Sequence, residues 1–395
     1  MLIRSNLPRK SSGRILSRPS YTAILLYYFL LSFDFVAVTS GVSVGRIVAC
    51  LVLFAGLLQV RSLRVPIDPP FISMLVFMIA SLCSILFLPA YFFELSSYFT
   101  IFLNLAVVLI ICSTPMNEVD CSYLEHALLA AALVLAVACI VSPGQVGDEW
   151  VTGRIVANIG GSQQDPNEFC GYFLLPVSVF SLSFIRNRNL LSLMLLAFML
   201  YTVLMTGSRG GLLAVVAALF VAVILAAKDQ KNSIIIAVFA LLIFLLLLVS
   251  FDAVLDMLPK AIARRFDLSD ASMGTASARV NGWNDILESF LNSSVFEQIL
   301  GHGYGTTTFA SSIHLVAHNV YIELLYDVGL IGLISFLFVY FYSCFQAFKT
   351  NHYALFAAMI GESVLMFSLS SFWSKTLWGL LALGLVYGEL RKKRQ

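Results

Sequence analysis

The chain has 395 residues, 59% hydrophobic and only 12% charged, with a formal net charge of +2 and a mean hydropathy of +0.91. Soluble domains carry about 25% charged residues, so a water-soluble globular enzyme is excluded. A balance this close to neutral also offers no basic field for nucleic acid.

In chain order, Arg4, Arg9, Lys10, Arg14 and Arg18 precede an apolar run at 21–39. That run is long for a signal-peptide core and no small-residue cleavage site follows it, so it reads as an uncleaved first helix. Span-length apolar runs then predict about twelve membrane helices. They lie near 21–39, 43–60, 71–89, 98–113, 123–142, 169–185, 190–206, 210–227, 233–251, 319–348, 353–371 and 373–388. The expected fold class is all-α: a polytopic integral membrane protein, a single membrane domain over 1–395, with one long periplasmic loop at 252–318.

Charge fixes the expected orientation. If the helices alternate, the basic N-terminus, Arg61, Arg64, Arg186, Arg188, Lys228, Lys231, Lys349 and the tail at 391–394 all fall on one side. By the positive-inside rule that side is the cytoplasm. The outer face then receives 39–42, 89–97, 141–168, 207–209 and the segment 252–318. Asp34 and Arg46 lie at similar depth below the first outer turn and are expected to pair. The seven cysteines form no Cys-x-x-Cys pair and read as small buried hydrophobes.

No Walker loop, dinucleotide fingerprint, His-Glu-x-x-His or Cys/His metal spacing is present, so neither cofactor nor metal is expected. Four constellations gather on the expected outer face. Thr206-Gly207-Ser208-Arg209-Gly210-Gly211 is a glycine-rich break with an arginine where a helix begins. Helix N-termini attract anions, and a cation there is unfavourable unless an anion also binds. Arg279 is expected in the first turn of a helix capped by Ser277, with Val280, Trp283, Leu287 and Phe290 as its apolar stripe. Arg264 and Arg265 read as the polar face of a short interfacial helix.

His318 stands at the start of the helix 319–348, with Asn319 as its expected N-cap. The helix dipole favours a neutral imidazole there, which suits a general base. Glu323 and Asp327 follow one turn apart; either could orient His318 or bind a sugar hydroxyl. The fourth constellation is the turn-rich loop from Gly153-Arg154 through Gly160-Gly161 to Asp165-Pro166-Asn167-Glu168, a second wall for an outward site. Singly, each of these is also met as an ordinary interfacial residue, loop or hairpin. Together they suit a substrate whose leaving group is anionic.

The ordered series Asp165-Pro166-Asn167, Thr206–Gly211, Arg279 with Trp283, Gly301-His302-Gly303-Tyr304-Gly305, His318–Glu323 and Gly329-Leu330-Ile331-Gly332 resembles the bacterial O-antigen ligase and polymerase superfamily over roughly residues 150–340. The resemblance implies transfer of a glycan from undecaprenyl diphosphate to an acceptor hydroxyl, without metal, on the periplasmic face of the inner membrane. The acceptor would be another glycan or lipid A-core. Membrane lipids and proteins of polysaccharide assembly would be the other partners. Arg209 and Arg279 would hold the diphosphate and His318 would sit at the reacting centre. Arg154, Asn167, Ser208, Tyr304, Asn319 and Glu323 are the candidate substrate-binding residues. The His-x-His-Asn form of ligases is replaced by Val316-Ala317-His318-Asn319, which favours a polymerase; a ligase and a lipid-linked glycan flippase are the rivals.

Overall fold

The computed structural model describes residues 19–39, 41–59, 63, 65, 67–88, 95–146, 154–228, 274–311 and 316–394, with backbone alone at 274–278. The expected helix at 233–251, Arg264, Arg265 and the basic N-terminus lie outside the described residues.

The first helix, α1 (Pro19–Leu30), tightens into a 3-10 turn at Leu31–Phe33 and stops short of the predicted 39. The chain instead forms a hairpin, β1 (Ala37–Thr39) with β2 (Val42–Ser43). Its turn contains Gly41 at φ +79°, the left-handed region that glycine enters without steric cost. Ser43 then caps α2 (Val44–Leu58), its side chain accepting from the Arg46 amide. Asp68 caps α3 (Pro69–Cys83), with proline in the first turn, where its missing N–H costs nothing. α4 (Leu95–Ser113) follows, and Asn117 with Asp120 forms a capping box on α5 (Glu118–Val141).

The loop after α5 is no plain connection. It folds as three antiparallel strands, β3 (Pro143–Val146), β4 (Arg154–Ile159) and β5 (Ser162–Gln163), in that order. The run Ile155-Val156-Ala157 alternates too briefly to stand out among long apolar spans. The fold is thus mostly helical with two small sheets, which touch through the Ala37 amide and Ser162 Oγ at 3.2 Å.

The remaining helices are α6 (Pro166–Gly171), α7 (Leu174–Asn187), α8 (Leu190–Met205), α9 (Arg209–Lys228), α10 (Gly274–Asn292), α11 (Val295–Leu300), α12 (Thr307–Ala310), α13 (Val320–Lys349), α14 (Tyr353–Leu365) and α15 (Lys375–Lys392). Among the described residues six helical stretches are long and apolar enough to cross a membrane, and four more are apolar but shorter. This is a multi-pass membrane architecture.

Packing follows small residues. α9 lies against α14 and α7. The stripe Ala214, Ala218, Ala222 is buried, and a Cβ on Gly361 would stand 2.8 Å from the Ala214 carbonyl. Close backbone approach through small residues is how helices associate where lipid removes the hydrophobic drive. α13 lies against α3 and α15 around Phe77, Phe336, Phe372 and Trp378.

α13 is broken at Gly329, at φ +69° and ψ −176°. The break frees the Tyr326 and Asp327 carbonyls, which accept from the amides of His302 (3.0 Å) and Gly303 (2.9 Å). A Cβ on Gly301 would come within 2.3 Å of the Asp327 oxygen, and one on Gly329 within 2.4 Å of the Ile299 oxygen. The glycine turn at 301–305 therefore docks backbone to backbone on the broken helix.

The expected Asp34–Arg46 pair is not formed. Asp34 pairs with Lys375 at 2.7 Å and accepts from Ser43 Oγ at 2.5 Å. Arg46 donates to the Gly41 carbonyl and to Thr100 Oγ1. Lys375 is 2% exposed, and a charge that deep needs a carboxylate more than Arg46 does at the rim.

Candidate active site

Asp165 caps α6. Its Oδ1 accepts from the Asn167 amide (2.8 Å), Asn167 Nδ2 (3.0 Å) and the Glu168 amide (3.3 Å). The helix thus starts at Pro166, not at Phe169 as expected. Asn167 Oδ1 in turn accepts from Ser208 Oγ (2.5 Å) and Arg154 Nη2 (3.4 Å). Ser208 Oγ accepts from the Gly211 amide at 2.9 Å, which caps α9. Arg154 Nε reaches the Thr206 carbonyl at 3.3 Å. Arg154, Asn167 and Ser208 are therefore brought together as one polar lattice. Asn167 and Ser208 are buried, and what the lattice holds is the turn that presents Arg209, the first residue of α9.

The second junction lies on residues 366–368, at the end of α14. Arg279 Nη1 donates to the Ser368 carbonyl at 3.5 Å. A Cβ on Gly210 would stand 2.1 Å from Ser368 Oγ, so the first turn of α9 rests on the same serine. The Val320 amide, at the start of α13, donates to the Met366 carbonyl at 2.9 Å. Two residues, Met366 and Ser368, thus touch the carriers of Arg209, Arg279 and His318. The predicted helix 353–371 runs straight through this junction. The polar run Ser368-Leu369-Ser370-Ser371 was the signal that the helix ends earlier.

α10 begins at Gly274, so Ser277 lies inside it and cannot be its cap. Arg279 consequently sits in the second turn. The apolar stripe is also displaced: Val280 is exposed, whereas Ile286 and Phe290 are buried against Ala317 and Tyr326. Trp283 instead turns its Nε1 to the Ala317 carbonyl at 2.6 Å, pinning the residue before His318.

His318 adopts φ +48°, a left-handed conformation that few residues other than glycine take up. Asn319 caps α13 as expected, accepting from the Tyr321 and Ile322 amides. The imidazole is half-buried, and its Nδ1 has no hydrogen-bond partner among the described residues. Burial lowers its pKa below the ordinary 6.5, the Arg279 charge lowers it further, and Asp165 opposes both. Burial lowers the Arg279 pKa from its usual range; Asp165 opposes this and the like charge of Arg209 adds to it. Arg279 and Asp165 thus bear on His318, and Asp165 and Arg209 on Arg279, although the four come from separate elements.

Tyr304, Glu323 and Asp327 are placed differently. Tyr304 is a core residue, its hydroxyl shared with Ser81 Oγ at 2.8 Å and its ring among Tyr98, Phe372 and Trp373. Asp327 Oδ2 accepts from the Gly305 amide and Oδ1 from Thr306 Oγ1; it holds the docked turn rather than His318. Glu323 is buried one turn below Asn319, with Oε2 unpartnered among the described residues.

Two guanidiniums beside the first turn of α9 can bind a doubly charged anion. A neutral imidazole next to them can take a proton. Residues 194–337 match the family model described as O-Antigen ligase. The match takes in Arg209, Arg279, Trp283 and His318 and leaves Asp165, Asn167 and residues 366–368 outside it. No curated protein matches the chain. Over this matched region the chain is similar to the O-antigen ligase family.

Proposed function

We propose that the protein transfers a glycan from undecaprenyl diphosphate to an acceptor hydroxyl on the periplasmic face of the bacterial inner membrane. The observation that carries this reading is the convergence of Arg209, Arg279 and His318 on residues 366–368. In this scheme the arginines hold the donor diphosphate and stabilise the charge that grows as the C1–O bond to phosphate breaks. His318 takes the acceptor proton as the new C1–O bond forms. The charge alternation along the sequence supports an outward placement of this face.

Within this chemistry we favour chain polymerisation, on the residues Val316-Ala317 before His318; the family's description as a ligase supports joining to lipid A-core. The experiment compares surface glycans with lipid-linked intermediates in cells carrying His318→Ala. A polymerase leaves single repeat units on their usual acceptor and no long chains. A ligase leaves long chains on undecaprenyl diphosphate. Unchanged patterns in both gels overturn the transfer reading.

A further inference from the structure

His318 is held from two sides, and only one of them is its own helix. After it, Asn319 caps α13 and the Val320 amide donates to the Met366 carbonyl at 2.9 Å. Before it, the indole Nε1–H of Trp283 donates to the Ala317 carbonyl at 2.6 Å. That carbonyl and the His318 amide share one rigid peptide plane. The bond therefore fixes the plane from which the His318 backbone turns to φ +48°. A residue other than glycine stays in that region only where its surroundings over-determine it. Among the described residues the imidazole Nδ1 has no hydrogen-bond partner, which leaves the aim of the ring to its backbone.

Trp283 stands one turn after Arg279 on α10, on the same face. Farther along that face Ile286 and Phe290 are buried with Ala317 and Tyr326, and Ser289 Oγ shares a hydrogen bond with the Tyr326 hydroxyl at 3.1 Å. α10 is thus fastened to α13 along one side. A half-buried indole needs an acceptor for its N–H, and a carbonyl anywhere would serve. This one belongs to the peptide that leads into His318.

We propose, resting on the transfer reading above, that Trp283 is a positioning residue for catalysis: through its N–H it sets His318 in register with the donor that Arg279 holds. In that reading the acceptor oxygen bonds to C1 of the donor sugar as its proton passes to His318. The C1–O(phosphate) electron pair leaves with the diphosphate. Base and leaving group are held by different segments, so their spacing has to be fixed by something that touches both. α10 does this with Arg279 in one turn and Trp283 in the next.

The test uses purified full-length protein in lipid nanodiscs with an undecaprenyl-diphosphate-linked glycan and a glycan acceptor. Trp283→Phe keeps an aromatic ring and removes the N–H. The expected result is a kcat lower by about 10- to 100-fold, the effect of a base misplaced by about 1 Å. Donor KM and the amount of donor bound per protein should stay at their wild-type values. Trp283→His loses more of the ring, but its Nε2–H falls where the indole Nε1–H was, in the corresponding five-membered ring. It is expected to recover kcat above the phenylalanine variant. Packing alone predicts the opposite order, because phenylalanine fills more of the indole's space. Should Trp283→Phe fail to accumulate, Trp283→Leu, which also lacks the N–H, takes its place with the same expectation. Wild-type kcat without the N–H, or a histidine variant no better than the one lacking it, would overturn the proposal. So would a kcat loss matched by an equal loss of bound donor, the mark of a partly unfolded preparation. His318→Ala in the same assay separates the two levels. If it abolishes transfer while Trp283→Phe behaves as wild type, only this inference fails; if His318→Ala stays active, the transfer reading fails first.

Discussion

Lys375 and Asp34, 341 positions apart in sequence, form a 2.7 Å ion pair in which the lysine is 2% exposed. The pair fastens the start of α15 to the end of the first helix. Removing one partner of a buried pair typically costs about 3 to 5 kcal/mol, because the other charge is stranded. Asp34→Ala strands the more deeply buried group and should be the worse variant. Lys375→Met leaves an acid that still accepts from Ser43 and reaches the rim. Thermal unfolding in detergent should rank wild type above Lys375→Met above Asp34→Ala; the reverse order of the two variants would mean that the pair is not what holds these ends.

Arg209→Ala and Arg279→Ala should each lose glycan transfer while still accumulating in the membrane. Lysine at either position should restore only part, since an ammonium lacks the bidentate fork. If, as proposed, the arginines carry the leaving-group charge, transfer should survive a chelator. Full activity in both alanine variants, or a strict requirement for divalent cation, would place the diphosphate elsewhere.

The pH dependence follows from burial of His318 and from its neighbour Arg279, which hold its pKa below 6.5. In the proposed scheme the working form is the neutral imidazole, present above that pKa and lost as pH falls through it. The kcat/KM profile for the donor reports the free enzyme, so its acid limb should lie below pH 6.5 and activity should already be on its plateau at neutrality. A limb at or above 6.5 in the wild type would mean that another group titrates.

Gly301→Ala and Gly329→Ala should be severe, each costing at least ~3 kcal/mol, since both put a Cβ against backbone and both need a left-handed φ. Gly305→Ala is the control. Its φ is +86° but nothing lies within 4 Å of the added carbon, so only the conformational strain of about 1 kcal/mol applies. Accumulation and melting temperature of the three variants check the difference.

Much of this molecule could be read from its sequence, because membrane helices declare themselves by length and apolarity, and Asn319 by its position before an apolar run. Arg209 and His318 were legible as residues at helix starts; Arg279 was expected in a first turn and sits in the second. What was not legible depends on contacts between distant segments. Lys375 looks like the start of a helix and only the fold supplies Asp34. The strands at 143–163 are too short to show a period. Ser277 is a good capping residue, but the backbone is already helical three residues earlier. Ser368 acts through its backbone carbonyl, and a carbonyl carries no sequence signature.

The anchoring of the site at 366–368 has a consequence in time. A chain emerging from the ribosome contains Asp165, both arginines and His318 well before it contains Ser368, and domains assemble as their parts are made. A nascent chain stopped after α13 holds every chemical group and lacks the piece that aligns them. Under the proposed transfer reading, the chain would stay silent through most of its own synthesis and become competent only when α14 has been inserted and the chain has turned toward α15.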